Sequence, residues 1–205
     1  MTEQEYDQML SIKPTSGLQV LSSSIHQNRY EATPYAALEA LGAEYPFHRK
    51  DGLVDYGSGK GRVPFFLHHQ FQLSATGVEV NASLYQEAME NQTNYMKKKK
   101  NTVGSVHFER CLAEEYRVEK DQNKFYFFNP FSTQIFIKVV NNISKSAEKN
   151  PRTVDLILYY PTTEYVHFLH DKTAFDLYAD IKIPGYYEKD EHERFLIFRL
   201  ELTSD

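Results

Sequence analysis

Short apolar runs and helix-spaced apolar positions take turns along this chain, and their order predicts alternating strands and helices. Residues 53–56 are apolar around one carboxylate and lead into a glycine-rich turn, the pattern of a buried parallel strand. The apolar run 63–67 follows at once and reads as the start of a helix, and 72–80 reads as a second strand. Asn81 is then expected to cap a helix whose apolar face comprises Leu84, Tyr85, Ala88, Met89 and Met96, and which ends in the lysine run 97–100. Further strands are expected at 105–108, 124–128 and 153–160, with a helix over 134–148; Pro161 stops the last strand. Two closing strands, 175–183 and 193–202, flank the turn-rich Pro184-Gly185-Tyr186-Tyr187. Upstream, Thr33 as N-cap and Pro34 in the first helical position are expected to open an amphipathic helix over 35–41.

The most specific local signal is Asp55-Tyr56-Gly57-Ser58-Gly59-Lys60-Gly61-Arg62. A phosphate-cradling P-loop needs a glycine where Val54 stands and a Ser or Thr where Gly61 stands, so that reading fails twice. A dinucleotide site needs G-x-G-x-x-G, and Arg62 occupies its third glycine position. The remaining candidate is a nucleoside-type cofactor without phosphates. S-adenosylmethionine (SAM) carries an ammonium and a sulfonium, so an acid at Asp55 favours it, whereas pyrophosphate would be repelled there. Glu79 closes the second strand about 20 residues after Gly57, the offset at which an acid reaches ribose hydroxyls. A carboxylate can accept one hydrogen bond from each hydroxyl. Val80, next to it, is placed to lie against an adenine face.

On these residues the chain resembles the class I SAM-dependent methyltransferases, in which D-x-G-x-G-x-G and the acid closing the second strand form the cofactor site. The resemblance implies an α/β Rossmann-like fold: a seven-stranded, mostly parallel sheet with an antiparallel C-terminal hairpin and helices on both faces. It implies one structural domain, with residues 1–50 as an N-terminal lid or substrate-recognition segment and 51–205 as the SAM-binding part. Asp55, Gly57, Ser58, Gly59, Gly61, Glu79 and Val80 then hold the cofactor, whose product is S-adenosyl-L-homocysteine. Cys111-Leu112-Ala113 stands where this family often has an adenine-contacting acid, so Leu112 and Ala113 carry over only a backbone contact. Glu114 and Glu115 read as helix N-terminal charges.

Phe128-Asn129-Pro130-Phe131-Ser132 is similar to the Asn/Asp-Pro-Pro-Tyr/Phe signature of amino-group methyltransferases, with one proline missing. The similarity implies that the Asn129 side-chain oxygen and the Pro130 carbonyl accept hydrogens from the target nitrogen beside the cofactor. Phe131 follows too early for the family's stacking position; it is either a substrate contact or a core residue after an Asx-type turn. Arg29 and Tyr30 stand just before the first expected helix, which Tyr35 opens. Arg29 could clamp a carboxylate bidentately and the tyrosines could close over a sulfonium, or the segment could be a surface helix on the sheet edge.

The function expected from these residues is methyl transfer from SAM to a nitrogen of a small molecule, protein or RNA. The alternative is a regulatory or partner-dependent SAM-binding module without activity of its own. A Rossmann-like oxidoreductase is disfavoured by G-x-G-x-G and Asp55.

Charge and composition narrow this further. A net charge of −5 and a pI near 5.9 provide no broad footprint for nucleic acid, leaving only a local patch possible, and the lysine run reads as a solvated helix end. The longest apolar stretch, 125–140, is broken by Asn129, Pro130 and Lys138, which excludes a membrane span there. The single cysteine, Cys111, cannot form an intrachain disulfide, which fits a reducing cytoplasm. His68 and His69 lack an acid or cysteine at ligand spacing, so no metal site is expected.

Overall fold

Burial with a period of two organises the sheet. In β1 (Gly52–Tyr56), Leu53 faces one core, and Val54 and Tyr56 face the other. In β4 (Gln122–Phe127), Tyr126 joins Leu53, and Phe125 and Phe127 join Val54. β5 (Val154–Tyr159) repeats the pattern, with Ile157 and Tyr159 opposite Leu156 and Leu158. Both faces are covered, which is why these strands read as apolar runs. The computed structural model describes residues 1–13, 31–98 and 103–202.

β2 (Ser74–Val78) and β3 (Val106–Glu109) extend the parallel sheet beyond β1. β7 (Arg194–Leu200) pairs antiparallel with β5, and β6 (Asp176–Lys182) pairs antiparallel with β7. The order is β3-β2-β1-β4-β5-β7-β6: the expected seven-stranded sheet with its antiparallel C-terminal hairpin. Helices α1 (Glu3–Leu10), α2 (Tyr35–Glu44), α3 (Arg62–Phe71) and α4 (Ala82–Lys98) contribute to the core on the Leu53 side. α5 (Thr133–Lys149) and α6 (Thr163–Lys172) fill the other. Among the described residues no helix is long and apolar enough to cross a membrane.

Several local expectations are corrected. Thr33 is not an N-cap; its hydroxyl lies 2.7 Å from that of Tyr126. α2 starts at Tyr35 with Pro34 as N-cap, and Glu3 Oε1 accepts the Tyr35 N–H at 2.9 Å, doing the capping from another helix. The polar first residues form α1, closed by a capping box between Thr2 and Glu5, and bury Tyr6 and Leu10. Asn81 caps α4 as expected, its Oδ1 accepting from Ser83 and Leu84 N–H at 2.9 and 3.1 Å. That helix buries Leu84, Ala88, Asn91 and Tyr95, leaving Met96 exposed, because Tyr95 reaches the buried His68 at 2.6 Å. Glu114 and Glu115 sit inside a single 3-10 turn, Ala113–Glu115, rather than at the start of a longer helix.

Candidate functional site

Strand order reverses at β1, with β2 on one side and β4 on the other. Open α/β sheets bind ligands in the crevice at such a switch point, beyond the carboxyl ends of the strands. The glycine turn lies there. Gly57, Gly59 and Gly61 have φ of +79°, +53° and +90°, a region that side chains other than glycine rarely adopt. The Gly57 and Ser58 N–H groups both donate to the Val78 carbonyl, at 2.9 and 3.1 Å, and Gly61 N–H donates to Ser58 O at 2.8 Å. A Cβ on Gly57 would stand 2.5 Å from Pro130 Cβ, so this glycine also lets the loop after β4 close onto the turn. Two motifs over seventy residues apart in sequence therefore meet.

Two carboxylates lie beneath the turn. Asp55 is buried near the end of β1, and burial, followed by the charge of Glu79, raises its pKa well above the usual carboxylate range. Glu79 is buried too. Its Oε2 accepts Gly59 N–H at 2.9 Å and its Oε1 accepts Asn81 N–H at 2.8 Å. Burial raises its pKa, and the backbone hydrogen bonds from Asn81, Gly59 and Val80 only partly offset this. Asp55, Gly57 and Ser58 line a small cavity with Tyr126, Phe128 and the chain at Glu31, Ala32 and Thr33. The Ser58 hydroxyl lies against Gly77 and has no hydrogen-bond partner among the described residues.

At the end of β4, Asn129 has φ of +41°, and Tyr160, just past β5, has φ of +49°. The Asn129 amide nitrogen donates to the Tyr160 carbonyl, so the two strand ends are tied together. Such conformations cost energy in residues other than glycine and concentrate at functional sites.

No protein-family model matches the chain, and no curated protein matches it in sequence. Solved structures do match. An RNA methyltransferase from Salinibacter ruber, solved with S-adenosyl-L-homocysteine, has a TM-score of 0.54 at 12% identity, covering 86% of this chain and 95% of its own. TrmK from M. capricolum, also with S-adenosyl-homocysteine, has a TM-score of 0.55 at 11% identity, covering 84% and 70%. Geranyl diphosphate C-methyltransferase from Streptomyces coelicolor A3(2) has a TM-score of 0.56 at 11% identity, covering 82% and 79%. The chain shares its Rossmann-like fold with these solved methyltransferases.

Within this fold, the remaining candidates fall into three groups. Val80 and Leu112 are exposed apolar side chains beyond the ends of the adjacent strands β2 and β3, with Ala113 following. Phe131 instead belongs to the core; its ring lies 6.3 Å from that of Phe127, and its carbonyl accepts from the Tyr165 hydroxyl. Tyr35 is also a core residue, its hydroxyl donating to Asp7 at 2.7 Å and its ring lying 4.3 Å from the Arg62 guanidinium. Arg29 and Tyr30 lie outside the described residues.

Sequence reasoning missed the residues that support the turn from other elements. Arg62 is buried at the first position of α3 and donates to the Thr33 carbonyl at 3.0 Å, fixing the chain that borders the cavity. Asn91 and Glu87 hold Lys60 from α4. Their only sequence signal was a spacing of four on a helix, which most helix surfaces share.

Proposed function

We propose that this chain is a methyltransferase that binds SAM over the glycine turn and passes its methyl group to a nitrogen acceptor. The observation that carries the reading is the buried pair Asp55 and Glu79. Two carboxylates held in low dielectric with raised pKa values favour a ligand that brings positive charge and disfavour one that brings phosphate. The residues fit SAM in further respects. Gly57 is exposed at the carboxyl end of β1, with a φ of +79° that residues with a side chain rarely adopt. The Glu79 carboxylate accepts backbone N–H groups from Gly59, Asn81 and Val80 and keeps lone-pair capacity for a ribose hydroxyl. Val80 and Leu112 present apolar surface at adjacent strand ends, suited to an adenine ring. The solved structures of this fold that hold S-adenosyl-homocysteine support the same assignment.

SAM supplies an electrophilic methyl group: as the acceptor lone pair forms the new C–N bond, the C–S bonding pair departs onto sulfur. The protein's part is alignment and exclusion of water. Asp55 balances the cofactor's positive charge, and Glu79 orients its ribose. The bond from the Asn129 amide nitrogen to the Tyr160 carbonyl sets the carboxamide plane, and the Asn129 side-chain oxygen and the Pro130 carbonyl would accept hydrogens from the target nitrogen. An amine that arrives neutral needs no base, and its proton leaves to water after transfer.

Titration calorimetry with SAM and with NADH tests the cofactor, and labelled SAM offered to RNA, protein and metabolite fractions tests the transfer. SAM binding with no NADH binding is the expected result; the reverse overturns the proposal. Asn129→Ala is expected to lower turnover roughly 100-fold through misalignment while leaving the Kd for SAM unchanged. Full turnover in that variant would remove Asn129 from the transfer step.

A further inference from the structure

Helix α4 holds the glycine turn from behind. Asn91 is fully buried on that helix; its Nδ2 donates to the Lys60 carbonyl at 3.1 Å, and its Oδ1 accepts the Lys13 N–H at 2.8 Å. Glu87, one helical turn earlier, takes the Lys60 ammonium at 2.9 Å, with the Lys60 side chain only 9% exposed. A spacing of four places both residues on one face of the helix. Lys60 is therefore gripped at its carbonyl and at its ammonium by the same helix. On the opposite side, Glu79 Oε2 accepts the Gly59 N–H. The middle of the turn is pinned from two directions, and α4 begins just after the residue that does the second pinning.

A buried carboxamide is expensive unless both ends are hydrogen-bonded, and a leucine of similar size would fill the same space without that requirement. Packing alone thus does not account for an asparagine here. We infer that Asn91 and Glu87 are positioning residues for the cofactor site. They hold Lys60 so that Gly59 and Gly61 keep the left-handed conformations on which the shape of the turn depends. Asn91 also ties the turn to the N-terminal chain at Lys13. The effect on cofactor affinity rests on the SAM reading above; the clamping of the turn does not.

Amide hydrogen exchange on the full chain without ligand, paired with SAM titration, tests this. Asn91→Leu is expected to speed exchange at Gly59, Gly61 and Lys13, and to weaken SAM about tenfold, the equivalent of one lost hydrogen bond. Glu87→Gln, a milder change at a partly exposed side chain, is expected to speed exchange at Gly59 and Gly61 but not at Lys13. Tyr95→Phe serves as the control: it removes a buried hydroxyl contact to His68 on the same helix and is expected to lower Tm without altering turn exchange or SAM affinity. Unchanged exchange at Gly59 and Gly61 in both test variants would overturn the inference, as would equal loosening in Tyr95→Phe. If Asn91→Leu fails to fold, Glu87→Gln decides. If the wild type does not bind SAM, the cofactor reading fails while the exchange rates still decide the clamp.

Discussion

At the scale of single residues, Asp55 carries the most chemical information. Burial, reinforced by Glu79, keeps its pKa well above 3.8 in the folded protein. Between the ordinary carboxylate value and the raised one, the native state holds more protons than the unfolded chain, so ligand-free stability falls as pH rises through that window. Asp55→Asn is expected to flatten this dependence and to be no less stable than wild type at neutral pH, yet to bind SAM more weakly. Denaturation curves over roughly pH 4 to 8 with parallel titrations check it; a wild-type pH slope in the variant refutes the role of Asp55. The position of this acid before Gly57 was readable, because the spacing is local. That Glu79 reaches back to Gly59 N–H was not, because that bond depends on how β1 and β2 pair.

At the scale of elements, Asp155 shows how an apolar strand tolerates a charge. It is fully buried in β5, yet it receives Lys124 Nζ from β4 at 2.6 Å, Arg199 from β7 at 2.7 and 3.0 Å, and the Tyr45 hydroxyl. Burial pushes its pKa up, but the Arg199 hydrogen bonds, Lys124 and Tyr45 outweigh it and hold the carboxyl below its usual value. The resulting stability is present above pH 3.8 and is lost as pH falls through the lower native pKa. Asp155→Asn leaves two cations without their shared counter-charge and is expected to cost about 3–5 kcal/mol, read from the urea midpoint at neutral pH. A cost below about 1 kcal/mol would mean that Lys124 and Arg199 find water instead. Strand and helix identities were legible here from periodicity, whereas this three-strand cross-link was not: its members are distant in sequence and follow no local pattern.

At the scale of the whole molecule, α1 belongs to the main core. Leu10 and Tyr6 are buried in the same cluster as Leu53 and Tyr126, and Tyr6 stacks on Tyr35 with ring centroids 4.5 Å apart. Leu10→Ala is therefore expected to destabilise the full protein by about 2–5 kcal/mol, measured by denaturation. A loss under about 0.5 kcal/mol would show that α1 docks loosely and that the sheet is stable without it. The same packing turned Tyr35 from a candidate ligand contact into a core residue, with Asp7 of α1 taking its hydroxyl.

The sequence by itself determined the alternation of strands and helices, the glycine turn and the acid before it, because each rests on backbone preferences or a period within a few residues. It also contained the capping box of α1, in which Thr2 and Glu5 stand three residues apart. Only the tertiary structure decided what covers what. It set Pro130 against Gly57, sent Phe131 and Tyr35 into the cores, moved Thr33 from a helix cap to Tyr126, and placed Asn91 beneath Lys60. Those outcomes depend on the order in which strands assemble and on which helix face meets the sheet, and both are global minima of packing rather than local properties of the chain.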